Sequence, residues 1–355
     1  MRMPSLLYRI LLAALCALAL GVLVVSAQEE PTDDPTGGGL DPITTPAPLP
    51  TRLPRSAPVQ VIRQDGVTVE VFFDTLPQGK TGLVHIHGEN VDGSPVSGAR
   101  ARFLGALTDF YPMPDESAED GVWGLLSVGM EQTTRTQGYD LALFVSFADG
   151  TRISVTTTIP VVLGGFITQI VTVPPDRAAL LDIETERNEL SRLESLFAPI
   201  TLERRWDETG WQMPIASALT SQFGAFRTFN GTLNTRHTGW DIRSTLGQPV
   251  MASAAGRVVY AGMLEIRGNY VLIDHGYGIY SGYAHLGTMH VTRGQDVTRN
   301  QVLGTVGDTG RVSGPHFHWE MAVNGNWVDS VQFTNFKNLR SIQLCVNRDA
   351  QRLPA

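Results

Sequence analysis

Cysteine is almost missing from this chain: there are two in 355 residues. Cys16 sits inside an apolar N-terminal run, so removal of that run leaves Cys345 alone and no intrachain disulfide can form. The same scarcity excludes a metal site built from cysteine pairs, so any bound ion must be held by histidine and carboxylate. Basic runs are lacking too. Lys and Arg number 27 against 35 Asp and Glu, a formal charge of -8. Such a mildly acidic chain gives no support for nucleic-acid binding.

The N-terminus reads as an export signal. Arg2 and Arg9 precede an uncharged apolar run over residues 10–25, and Val25-Ser26-Ala27 forms a small-residue cleavage site before Gln28. The run falls short of the roughly 20 apolar residues of a spanning helix. An uncleaved membrane anchor is the alternative reading. Cys16 directly follows Leu15 and not a small residue, which argues against a lipoprotein modification site. Removing residues 1–27 takes away two arginines and no acids, so the charge moves to -10. The expected location is extracytoplasmic, secreted or in the cell envelope. About 330 residues remain, enough for two domains.

Residues 28–57 carry seven prolines, from Pro31 to Pro54, among Thr, Asp and Gly. A segment so poor in apolar side chains cannot offset its ordering entropy, and it reads as an extended tether. Residues 58–173 read as all-β, with strand candidates at 67–73, 82–87, 99–103, 122–128, 139–147 and 152–160. Asp65-Gly66, Asp92-Gly93 and Asp149-Gly150 mark turns between them, the last a hairpin signal. This spacing predicts an immunoglobulin-like sandwich. No catalytic constellation is visible in it, so a spacer or binding module is expected.

Over residues 174–199 the period becomes helical. Leu180, Ile183, Leu190, Leu193 and Phe197 recur among acids and arginines, predicting one amphipathic helix packed between two domains. Residues 211–333 form a second β-rich region, with strand candidates at 250–252, 256–260, 270–274, 279–284, 301–306 and 316–323, punctuated by glycines. A compact antiparallel sheet with little helix follows. Residues 334–355 form a C-terminal tail.

The chemistry gathers in this last region. Along a strand alternate side chains share a face, so His316, His318 and Glu320 point one way while Phe317 and Trp319 pack on the other. His237 and Asp241 lie four apart around Gly239, and an extended segment puts both on one face. Two imidazoles and a carboxylate make a three-ligand site with a fourth position open for water. Nitrogen and oxygen ligands suit several transition metals, with zinc the default for a tetrahedral hydrolytic site. No His-Glu-x-x-His stretch occurs, which excludes a glutamate-base metalloprotease helix.

Each motif is weak by itself; their order within one small region is specific. Arg236-His237-Thr238-Gly239-Trp240-Asp241, Val271-Leu272-Ile273-Asp274-His275-Gly276, Tyr283-Ala284-His285-Leu286 and Gly314-Pro315-His316-Phe317-His318-Trp319-Glu320 carry a resemblance. About a third of the chain, from Pro214 to Phe333, resembles the lysostaphin/LytM-type zinc metallopeptidases, which cut peptide bonds of bacterial peptidoglycan. The resemblance implies zinc ligands at His237, Asp241 and His318, catalytic imidazoles at His285 and His316, and a peptidoglycan peptide as substrate. Which of His285 and His316 is the base stays open. It also admits a rival, a non-catalytic activator of another wall hydrolase, although such members tend to lose residues that this chain keeps.

Other histidines read as structural. His275 is expected in a hairpin turn, His290 in solvent, and His85-Ile86-His87 with Glu89 as a second alternating cluster of structural or surface character. Glu320 reads equally as a support for the ligands or a solvated strand residue. Trp240 and Trp319 are expected to buttress the sheet from behind.

Overall fold

The computed structural model describes residues 57–113, 120–207 and 209–334. The export-signal segment, the tether and the C-terminal tail lie outside the described residues. Within them the chain is mainly β, and no helix is long and apolar enough to cross a membrane.

Two facing sheets make up the N-terminal region. One orders the strands Gln60–Gln64, Val67–Val71, Thr81–Gly88 and Val122–Ser127. The other orders Leu76–Pro77, Arg152–Val162, Arg135–Phe147, Val96–Phe103 and Ala106–Phe110. Strict alternation puts Val67, Val69, Val71, Val84 and Ile86 from the first sheet against Leu141, Leu143 and Val145 from the second, in one core. The first strand was not legible as such. Its turn was: Asp65 and Gly66, with φ of 49° and 82°, join Gln64 to Val67 in a two-residue hairpin.

Part of the outer face of the first sheet is covered. Phe72, Leu83, Trp123 and Leu125 pack with Trp206, Trp211, Tyr277 and Ile279 of the C-terminal region in a single core. The Tyr111 and Tyr277 rings stack at 4.3 Å. Polar contacts fix the same junction: Lys80 pairs with Asp329 at 2.8 Å, and Thr81 donates to the buried Gln332 at 3.1 Å. The two β regions thus meet directly, not through the helix.

The segment expected as one helix is two pieces. Pro175–Leu180 is a 3₁₀ turn, and the α-helix Ile183–Phe197 begins where the Asp182 carboxylate accepts the Thr185 N–H at 2.8 Å. Its buried face is also rotated from the expected stripe. Glu186, Glu189, Leu193 and Phe197 are buried, whereas Ile183 is exposed. Leu193 and Phe197 pack on Leu264, Tyr270, Leu272 and Tyr280 of the C-terminal sheet. The two acids are buried because arginines from that sheet's loops meet them, as described below.

The C-terminal sheet orders Leu219–Ser221, Gly239–Ile242, Phe317–Val323, Ile279–Met289, Gly268–Gly276, Gly256–Leu264 and Asp296–Val297, all antiparallel. Pro249–Met251, Val302–Val306 and Asn326–Val328 join it at the sides. A smaller sheet stands beside the site, where Thr168–Val171 pairs in parallel with Phe226–Phe229, itself antiparallel to Leu233–Arg236. A strand that follows the N-terminal sheets is therefore built into the wall of the C-terminal region.

Candidate metal centre

Strand register brings the first two side chains together. Asp241 on Gly239–Ile242 lies directly across from His318 on Phe317–Val323. His237 enters from the turn just before Gly239. A side chain at Gly239 would put its Cβ 2.3 Å from the Trp319 carbonyl oxygen and 2.9 Å from His318 Nε2, so only glycine allows this approach. The result is a tight triangle: His237 Nε2 lies 3.0 Å from Asp241 Oδ1 and 3.0 Å from His318 Nδ1, and His318 Nδ1 lies 2.9 Å from Asp241 Oδ1. All three residues are buried.

Proton bookkeeping makes this triangle unusual. His237 Nδ1 donates to the Gln222 carbonyl at 2.7 Å, and His318 Nε2 donates to the Glu320 carboxylate at 3.0 Å. With those nitrogens carrying the protons, the neutral rings turn lone pairs inward, onto a carboxylate oxygen that also only accepts. Three acceptors thus converge when both rings are neutral, an arrangement that a cation, or a proton taken up by His318, satisfies. His237, Asp241 and His318 can hold a metal ion, and their chemistry of two imidazoles and a carboxylate fits zinc. Burial, against the pull of Asp241, lowers the His237 pKa to about 4, which keeps that ring neutral and available. Burial alone would raise Asp241, but His237 and Arg227 outweigh it and hold the carboxyl well below its ordinary range. His318 is buried yet raised, because Asp241 and Glu320 both favour its charged form.

Two further imidazoles flank the triangle. His285 is on Ile279–Met289 with φ of 57°, a left-handed conformation that a non-glycine residue adopts at some cost. Its Nδ1 donates to the Thr309 carbonyl at 2.8 Å, leaving Nε2 unprotonated. Burial and the neighbouring imidazoles of His316 and His318 hold its pKa well below the ordinary value. His316 was expected on the strand with His318, but the strand starts at Phe317. It lies in the Gly314-Pro315 approach instead, with Nδ1 donating to the Gly314 carbonyl at 2.9 Å and Nε2 3.4 Å from Asp241 Oδ1. The His285 and His316 ring centres are 4.9 Å apart. A cleft of about 640 Å³ opens over these groups, bordered by Gln169, Arg227, Asp241, His285 and His316.

The sequence did not single out Arg227, Arg267, Gln169 or Glu189, and Glu320 proves fully buried, not solvated. No local pattern marks the first four; Glu320 was visible only as a member of the ligand face. His275 lies in the strand Gly268–Gly276, not in the turn, with its ring nitrogens on the Ala255 carbonyl and the Ser281 hydroxyl, both at 2.7 Å. Trp240 Nε1 donates to Asp329 at 2.6 Å, and Trp319 is buried opposite it. His290 is exposed. The second cluster forms with Glu70 in place of Glu89: His85 Nδ1 is 2.9 Å and His87 Nε2 3.8 Å from Glu70 Oε2.

An antiparallel sheet thus carries two imidazoles and a carboxylate that could hold a metal ion, with two further imidazoles beside them. Residues 235–330 match peptidase family M23. The chain is similar to the peptidoglycan DD-endopeptidase ShyA of Vibrio cholerae, at 42% identity over 96 residues, 27% of this chain and 22% of that protein. The DD-carboxypeptidase/endopeptidase Mpg of Neisseria meningitidis is 42% identical over 95 residues, 27% and 22% of the two chains. The murein hydrolase activator NlpD of Salmonella dublin is 35% identical over 126 residues, 35% and 31%. The match spans about a fifth of the length of the first of these relatives. Among solved structures, a Pseudomonas aeruginosa protein assigned to peptidase M23 superposes on 74% of this chain and 96% of its own, with a TM-score of 0.52 at 23% identity. That likeness of fold reaches beyond the matched domain.

Proposed function

We propose that this chain is an exported, zinc-dependent endopeptidase that hydrolyses peptide bonds of bacterial peptidoglycan. The observation that carries the reading is the triangle of His237 Nε2, His318 Nδ1 and Asp241 Oδ1, three acceptors within 3.0 Å of one another. The peptidoglycan endopeptidases among the relatives supply the substrate class.

Zinc, when bound there, supplies a Lewis acid that polarises the scissile carbonyl and lowers the pKa of water towards about 7. The chain's own residues do the rest. His237 and His318 offer neutral nitrogens because Gln222 and Glu320 hold their other protons. His285 and His316 each turn Nε2 towards the cleft, because the Thr309 and Gly314 carbonyls hold their Nδ1–H groups. The pair takes the proton released as water attacks and returns it to the leaving amine. The cleft beneath the Thr168–Val171 strand receives the peptide.

Mass spectrometry of purified peptidoglycan after incubation with the protein tests this reading. New amine termini, lost in His316→Ala while about one zinc per chain is retained, are expected. A zinc-loaded protein that leaves wall peptides intact would instead favour the second reading, an activator of another hydrolase, for which the similarity to NlpD is the motive.

A further inference from the structure

The segment joining the two β regions lies outside the matched stretch 235–330. Yet its side chains reach the groups that hold the candidate ligands. One brace starts at Gln169, on the strand Thr168–Val171. Its Oε1 accepts from Arg227 Nε at 3.2 Å and from the Ser221 hydroxyl at 2.7 Å. Arg227 in turn donates to Asp241 Oδ2. That contact fixes the rotation of the carboxylate, so that Oδ1 is the oxygen facing the two imidazoles.

The other brace starts at Glu189, on the helix Ile183–Phe197. Its carboxylate accepts the backbone N–H of Ile266 at 2.7 Å, that of Arg267 at 3.1 Å and the Arg267 guanidinium at 2.9 Å. Arg267 grips both oxygens of Glu320 at 2.7–3.0 Å, and Tyr270 donates to the same carboxylate at 2.8 Å. Glu320 then accepts His318 Nε2–H at 3.0 Å. Glu189 is 2% exposed, Arg267 4%, Glu320 0% and His318 6%, so water does not screen this relay. A carboxylate on Nε2 selects the tautomer that leaves Nδ1 free, and it aims the ring.

Glu189 is tolerated in the interior because the Arg267 guanidinium and two backbone N–H groups meet it there. Without Glu189 two backbone donors and one side of a buried guanidinium lose their acceptor, and Arg267 is free to tilt. The same segment also touches the loop that pins His285: Arg177 donates to the Gly310 carbonyl at 3.0 Å, and Glu186 pairs with Arg311 at 2.6 Å.

We infer that the connecting segment is a working part of the metal centre, with Glu189 and Gln169 as positioning residues that set His318 and Asp241 for the ion. The inference rests on the metal-centre reading proposed above. It is tested on the full mature chain with two variants, Glu189→Gln and Gln169→Ala, beside the exposed Glu194→Gln on the same helix as control. Zinc affinity is measured by chelator competition, the ligand geometry by the visible absorption of the cobalt(II) form, and folding by circular dichroism of the metal-free protein.

Zinc affinity about 10- to 100-fold weaker in Glu189→Gln, with an altered cobalt spectrum and native circular dichroism, is the expected result. Gln169→Ala is expected to weaken binding by a smaller factor, and Glu194→Gln to match the wild type. Wild-type affinity and spectrum in both variants would overturn the inference while leaving the metal centre standing. A wild-type protein that binds no zinc would overturn both. Should Glu189→Gln fail to fold, Gln169→Ala decides, since its half-buried side chain sits on a small edge strand.

Discussion

Two histidine clusters in this molecule begin from the same plan. In each, a His-x-His pair lies on or at the start of a strand, and a carboxylate stands directly across on the neighbouring strand: Asp241 opposite His318, and Glu70 opposite His85. What differs is the third member and the backing. In the C-terminal cluster the third member is His237, from the link just before the Asp241 strand, and it closes a triangle of 2.9–3.0 Å whose three residues are all buried. In the N-terminal cluster the third member is His87, on the same strand as His85, 3.8 Å from the carboxylate with its side chain 34% exposed. There His85 stacks on Trp123 at 3.8 Å and donates to the Asp120 carbonyl at 2.6 Å. It serves the packing of the domain junction. Alternation on a strand thus makes pairs of ligands, and a closed, buried triangle makes a centre.

The sharpest way to break the comparison is to remove one member from each cluster. His237→Ala or Asp241→Ala is expected to abolish zinc binding by metal analysis, whereas Glu70→Ala or His87→Ala leaves zinc content unchanged. Equal losses from both clusters would show that the plan alone suffices. Within the C-terminal cluster, His316→Ala should lower wall-peptide hydrolysis by about 10²–10⁴-fold with zinc retained, as for loss of a general acid–base group. Next in size is a buried imidazole that belongs to neither cluster. Burial lowers His275 to about 4, so its folded-state pKa lies below the ordinary 6.5. A base depressed in this way contributes stability that is whole above pH 6.5 and is lost as pH falls towards about 4, up to about 3 kcal/mol. Denaturant titrations of the metal-free protein across that window should show the slope, flattened in His275→Gln. Last, His85→Ala should cost about 1–3 kcal/mol by opening a gap beside Trp123 and removing the contacts to Glu70 and the Asp120 carbonyl, with zinc affinity unchanged.

Much of the architecture was legible because it is local. Alternating Val67, Val69 and Val71, the Asp149-Gly150 hairpin and the glycine-punctuated strands of the C-terminal region follow from a period of two and from turn chemistry. The five side chains singled out in the sequence do lie together, brought there by cross-strand register, the close approach at Gly239 and the loop that leads into the Phe317 strand. The helix was legible as a helix but not in its orientation: the apolar period suggested a face through Ile183 and Leu190, and the fold buries Glu186 and Glu189 instead. His316 was placed one residue too far into a strand that Gly314-Pro315 delays.

The sequence by itself determined which residues could bind a cation and which stretches would be strands, because both depend on side-chain type and neighbours a few positions away. Tertiary structure alone decided that Glu189 and Arg267, 78 positions apart, would share one buried ion pair behind His318, and that Gln169 would stand behind Arg227 and Asp241. A carboxylate is tolerable in the interior only where a partner meets it, and that partner is supplied by the packing of a distant segment, which no spacing along the chain records.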